Sequence, residues 1–155
     1  MNFRMHHAVA SVMGVGFLPV APGTWASLVG VAFWYVAQGW FAPFAWLPWL
    51  LVFGCLAAGL ISIPYVQAAW GDDPSQVVID ELAGMWIACL LLPHSLWALL
   101  AALIFFRFFD IFKPLGIRKL EEMDGAPGVL LDDVLAGVYA NVCVNLLLWL
   151  GILSS

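Results

Sequence analysis

Apolar residues run through this chain in long blocks without a charged residue: none between Arg4 and Asp72, from Leu82 to Phe106, or from Val134 to Ser155. Each block reaches or exceeds the ~20 residues that cross a ~30 Å hydrocarbon layer as helix. Proline and glycine divide the blocks into elements. A first span is predicted from Trp25 to Phe41, bounded by Pro22-Gly23 and Pro43, and a second from Phe44 to Tyr65, kinked near Pro64. The third stretch, Leu82 to Leu92, stops at Pro93 and covers only about 16 Å at 1.5 Å per residue. Either its helix begins near Ser75, carrying Asp80 and Glu81 to the membrane boundary, or the segment is re-entrant. A fourth helix, Ser95 to Phe112, and a fifth, Val134 to Ile152, complete an all-α, multi-pass transmembrane helical bundle of about five spans, one short or re-entrant. Residues 1–155 form one integral-membrane domain.

Composition strengthens this picture. With 65% apolar and 10% charged residues in 155, the chain is too small to hide its apolar surface in a core of its own. Five basic against ten acidic residues, a net charge of −5, exclude a nucleic-acid partner, which needs a basic stripe. Alternating the spans gathers Arg4, Arg107, Lys113, Arg118 and Lys119 on one face, which the excess of basic residues in cytoplasmic loops makes the cytoplasmic one. Trp40, Trp46, Trp49, Trp97 and Trp149 fall at the opposite headgroup level, where indole rings favour the interface. Cys55, Cys89 and Cys143 each lie alone in an apolar run and read as packing residues. The N-terminus, with one Arg plus His6 and His7 followed by Gly and Pro, lacks the form of a cleaved signal peptide.

All acidic residues fall on the basic face, so the candidate chemistry sits there. Asp72 and Asp73, before a proline, read as a solvated turn. Asp80-Glu81 heads an apolar helix, where carboxylates also serve as caps. Arg107, Asp110 and Lys113 recur every third residue on one otherwise apolar helix face. Such charges face a wet cavity or a partner, unless the two cations snorkel to the headgroups with Asp110 as counter-ion. Asp132-Asp133 forms a second carboxylate pair before the last helix. Two pairs plus Asp110 on one face offer enough oxygens for a hard cation such as Mg²⁺, and the basic residues beside them suit phosphoryl oxygens. Thr24, in the stretch Pro22-Gly23-Thr24-Trp-Ala-Ser27, is a helix cap or a phosphate contact. The chain has none of the best-known phosphatase motifs that form a covalent phosphoenzyme, which leaves direct attack by a metal-activated water.

Four ordered motifs carry a family likeness: Ala21-Pro22-Gly23-Thr24; Val78-Ile79-Asp80-Glu81 followed by Gly84; Phe106-Arg107-x-Phe109-Asp110-Ile111-x-Lys113-Pro114; and Leu131-Asp132-Asp133-Val134-x-Ala136-Gly137. From about Gly14 to Tyr139 the chain resembles the phosphatidylglycerophosphatase A family. Ala26, Ala126 and Gly116 depart from its pattern of Gly, Gly and Pro, changes of loop shape rather than of charge. The resemblance implies Mg²⁺-dependent dephosphorylation of phosphatidylglycerophosphate to phosphatidylglycerol at a bacterial inner membrane. The spacing of the carboxylates, and not the resemblance, makes Asp80, Glu81, Asp132 and Asp133 the expected metal shell, with Asp110 a fifth ligand or the orienter of Arg107. Arg107, Lys113, Arg118 and Thr24 are the expected substrate contacts. The rival readings are another metal-dependent lipid-phosphate enzyme, either a phosphatidate phosphatase or a headgroup transferase, and a non-catalytic cation channel or transporter subunit.

Overall fold

The computed structural model describes residues 3–41, 43–71 and 74–153, all helix and connecting turns. In chain order these are α1 (Phe3–Ala10), a 3-10 turn (Val15–Phe17), α2 (Pro22–Phe41), α3 (Leu47–Trp70), α4 (Ile79–Cys89), α5 (Leu96–Phe112), α6 (Ile117–Glu121) and α7 (Ala126–Trp149). The Asp72-Asp73 turn lies outside the described residues. The five expected spans correspond to α2, α3, α4, α5 and α7. Among them, α3 and α7, of 24 residues each, are long and apolar enough to cross a membrane.

The observed boundaries differ from the expected ones at three places. Pro64 sits inside α3 without ending it, and the helix runs on to Trp70. Helix α4 begins at Ile79, between the two expected starts. Helix α7 begins at Ala126, well before Val134, because Pro127 lies in its first turn, where a missing N–H costs nothing. Asp132 and Asp133 are therefore inside a helix, not ahead of one.

Helix α4 is central, packing against α2, α3, α5 and α7. Its eleven residues span about 16 Å, and protein surrounds them on all sides. A short helix ending among apolar side chains leaves carbonyls without partners. Here Asn141 Nδ2 donates to Ala88 O at 3.1 Å and Leu90 O at 2.7 Å, and Gln38 Nε2 donates to Leu92 O at 2.7 Å. Side chains of α7 and α2 thus close the end of α4.

The middle of α4 is fixed by backbone contact with α7. A Cβ on Gly84 would lie 2.6 Å from Asp133 O and 2.6 Å from the Phe106 ring, and one on Gly137 would overlap Gly84 O. Only glycine permits such an approach, as in small-residue packing of membrane helices. Gly84 follows Asp80 by one turn and Gly137 follows Asp133 by one turn, so this contact sets the two carboxylates at the same level. Trp34, Met85, Leu99 and Phe106 fill the core. The outward faces carry Phe33, Val36, Phe53, Ile61, Ile104 and Val142, all exposed. Helix α1 docks on α3 through His6, which is buried, 3.3 Å from Ser62 Oγ and stacked on Tyr65. All three cysteines are free, with Cys55 and Cys89 buried.

Candidate active site

The start of α2, the end of α3, the start of α4, the end of α5 and the start of α7 converge on one cavity of about 660 Å³. Helices α2, α4 and α7 thus run away from it while α3 and α5 run toward it. Pro22, Gly23, Gln67, Asp80, Glu81, Arg107, Asp110, Lys113, Asp132 and Asp133 line it, with Glu121, Glu122 and Asp124 from α6 and the turn after it.

Three carboxylates meet at its floor. Asp80, Glu81 and Asp133 each present an oxygen within 4.8 Å of the others, and Asp80 and Asp133 are only 8% and 3% exposed. Asp80 Oδ1 accepts the Glu81 N–H at 3.0 Å, but Glu81 Oε2 and Asp133 Oδ1 are buried without a hydrogen-bond partner among the described residues. Buried charges of one sign are expensive unless a counter-charge completes the group. Three convergent carboxylates with two unpartnered oxygens fit a metal ion, because only oxygen donors are offered and a cation would satisfy both.

The remaining charges pair with one another. Arg107 Nη1 is ion-paired with Asp110 Oδ2 at 2.5 Å without hydrogen-bond geometry, while Nε is buried without a hydrogen-bond partner among the described residues. Lys113 ends α5 in a left-handed conformation, φ 48°. Its Nζ donates to Asp132 Oδ2 at 2.8 Å and to Glu121 Oε1 at 2.6 Å. Burial opposes the charge on Lys113, but these hydrogen bonds outweigh it and hold the ammonium pKa above the ordinary lysine value. Asp132 Oδ1 also accepts the Asp133 N–H at 2.9 Å.

Of the expected metal shell, then, Asp80, Glu81 and Asp133 come together. Asp132 is turned to Lys113, and Asp110 lies against Arg107 while still facing the charges of Asp133 and Glu81. Arg107 and Lys113 line the cavity; Thr24 and the exposed Arg118 do not. Sequence reasoning passed over Glu121 as the second anchor of Lys113. It also passed over Gln67, whose signal was a lone amide near the end of an otherwise apolar helix.

A family profile described as Phosphatidylglycerophosphatase A matches residues 8–148. The chain belongs to this family. Membership in the phosphatidylglycerophosphatase A family makes it a phosphatase. A protein of Escherichia coli named Phosphatidylglycerophosphatase A is 34% identical over 139 residues, 85% of this chain and 77% of the relative. Its namesake in Haemophilus influenzae is 34% identical over 141 residues, covering 89% and 85%. A Bacteroides thetaiotaomicron protein, provisionally named a phosphatidylinositol-3-phosphatase, is 41% identical over 147 residues, covering 91% and 92%. No solved structure matches the chain.

Proposed function

We propose that the protein hydrolyses the phosphate monoester of phosphatidylglycerophosphate, giving phosphatidylglycerol and inorganic phosphate, in a Mg²⁺-dependent reaction at the cytoplasmic face of a bacterial inner membrane. One observation carries this reading. Across a single cavity, a carboxylate trio with oxygens that lack hydrogen-bond partners faces a guanidinium whose buried Nε has none either, among the described residues, the two halves of a site for a divalent cation and a phosphate.

In this scheme Asp80, Glu81 and Asp133 hold the metal, while Asp132 and Asp110 fix Lys113 and Arg107. Mg²⁺ held there supplies positive charge to the phosphoryl oxygens and lowers the pKa of water. Arg107 turns Nε to the non-bridging oxygens, its plane set by the ion pair between Nη1 and Asp110. Lys113, bound twice, keeps one of its three donors for the phosphate. Water attacks phosphorus as the bond from phosphorus to the headgroup oxygen breaks. The proton lost by the water ends on that departing oxygen, which becomes the product hydroxyl. Charge that builds on the phosphoryl group during transfer meets the guanidinium already in place, without reorganisation.

The acyl chains stay in the bilayer. The whole chain is one membrane domain, crossing with α2, α3, α5 and α7 while α4 lies enclosed as the short fifth segment. Support comes from the alternating helix directions, from the exposed apolar outer faces, and from Trp40, Trp46, Trp49, Trp97 and Trp149, all exposed at the end away from the cavity. The basic residues at the cavity end support a cytoplasmic orientation of that end.

The 41% identity to the Bacteroides thetaiotaomicron protein favours a second reading, in which the monoester is carried by an inositol headgroup. Release of inorganic phosphate by the purified protein in detergent separates the two. The panel is phosphatidylglycerophosphate, phosphatidylinositol 3-phosphate and phosphatidate, each with Mg²⁺ or with EDTA. Phosphatidylglycerophosphate is expected to turn over fastest, and EDTA to abolish turnover. Preference for the inositol lipid selects the second reading, and full activity after exhaustive chelation refutes the metal-dependent scheme.

A further inference from the structure

Gly23 is the second residue of α2 and is buried beside the carboxylate trio. Its backbone makes no demand for glycine, since it lies within a right-handed helix. Alanine is the better helix former there. The demand comes from across the cavity. A Cβ on Gly23 would overlap Glu81 Oε1 and lie 2.7 Å from Cδ and 3.2 Å from Cγ of the same side chain.

The first turn of α2 cannot easily yield. Thr24 N donates to Ala21 O at 2.9 Å, and the buried Ser27 hydroxyl donates to Gly23 O at 2.9 Å. What yields instead is the Glu81 side chain, because the atoms that the methyl would meet are the far end of a flexible side chain and not backbone. Anything added at Gly23 therefore displaces one carboxylate of the trio while leaving both helices intact.

We infer that Gly23 is a positioning residue: its missing side chain is the space that holds the Glu81 carboxylate in register with Asp80 and Asp133 for a divalent cation. This rests on the metal reading of the trio proposed above. Two other glycines of α2 show what a different role would look like. A Cβ on Gly30 would meet only the apolar Leu82 Cδ1 at 3.0 Å and Met85 at 3.5 Å, and one on Gly39 would meet nothing within 4 Å.

The test is Mn²⁺ binding to the full chain in detergent, followed by electron paramagnetic resonance, together with the melting temperature in EDTA. Mn²⁺ takes the same oxygen donors as Mg²⁺. Gly23→Ala is expected to weaken Mn²⁺ binding at least tenfold while its melting temperature in EDTA equals or exceeds that of the wild type. Gly30→Ala and Gly39→Ala are expected to bind Mn²⁺ as the wild type does. Glu81→Asp, which withdraws the carboxylate by one methylene, also weakens binding. The double variant Gly23→Ala/Glu81→Asp is expected to lose less than the two single losses combined, since the shorter side chain clears the added methyl.

Wild-type affinity in Gly23→Ala overturns the inference and leaves the metal reading standing. A loss of affinity matched by a fall in melting temperature in EDTA makes Gly23 a packing residue and overturns it too, as does strict additivity in the double variant. If the wild type binds no Mn²⁺, both the metal reading and the inference fall.

Discussion

Asp132 and Asp133 are adjacent, both buried and both aspartate, yet the structure gives them opposite energetic signs. Replacing each with Asn tests that separation. Asp133 shares the trio with oxygens up to 4.8 Å apart. Two full charges at that distance repel by about 3.5 kcal/mol at an effective dielectric of ~20. Protons redistribute within a buried group of acids, so removing one charge is expected to recover only part of this, about 1–2 kcal/mol. Asp133→Asn is thus expected to melt above the wild type in EDTA, by about 2–4 °C per kcal/mol for a chain of this size.

Asp132 instead holds Lys113 at 2.8 Å. The substitution Asp132→Asn would leave that ammonium, 19% exposed, with only Glu121, itself 49% exposed and so a weak partner. A loss of about 1–3 kcal/mol follows. Adding Mg²⁺ inverts the first comparison. A site filled at a hundred times its dissociation constant adds about 2.7 kcal/mol to the wild type, and Asp133→Asn forfeits most of that gain. Scanning calorimetry or fluorescence melting in detergent, with EDTA and with Mg²⁺, reads both signs, and phosphate release on the same samples is expected to fall more than a hundredfold in Asp133→Asn. That exceeds the roughly 10–100-fold cost of losing a residue behind a metal ligand. Equal destabilisation of both variants in EDTA, with no change in the response to Mg²⁺, would refute the reasoning and make Asp133 a structural acceptor.

Arg107→Lys keeps the charge but loses the planar fork, and kcat/KM is expected to fall about 10–100-fold with little change in melting temperature; unchanged kinetics would remove Arg107 from the phosphate site. Gly84→Ala pushes a methyl against Asp133 O and the Phe106 ring and is expected to cost about 1–3 kcal/mol as overpacking, read as a lower melting temperature in EDTA. Single cysteines at Ser75 and Gly116 are expected to react with an impermeant maleimide from the cytoplasmic side, and one at His94 from the other. Labelling of all three from one side would break the alternating arrangement.

The charge-free blocks and their prolines were enough to locate the five apolar segments, and the clustering of the acids at one face was enough to locate the cavity. The division of labour within it was not legible. On a helix neighbouring side chains diverge by about 100°, and the two pairs resolve this differently: Asp80 and Glu81 still meet in one trio, whereas Asp132 and Asp133 are split. Helix α7 turns one residue to the trio and the other to Lys113. Placing that pair ahead of the helix, with α7 starting at Val134, concealed this divergence.

The short third stretch left two readings open for a related reason. Its length was weighed against a bilayer, but α4 is measured against four neighbouring helices, and the side chains that close its end, Gln38 and Asn141, stand 54 and 51 residues from Leu92 and Leu90. Gly23 and Glu81 are similarly remote in sequence and touch in space. Local spacing can show that a carboxylate is out of place in an apolar helix; which carboxylates share a cation depends on where the helices cross. Here that crossing is set by Gly84 on Gly137, two residues without chemistry of their own. Glycines at a crossing therefore belong to the site as much as the acids do, and they separate by where they act: Gly84→Ala acts on the fold, and Gly23→Ala on one carboxylate.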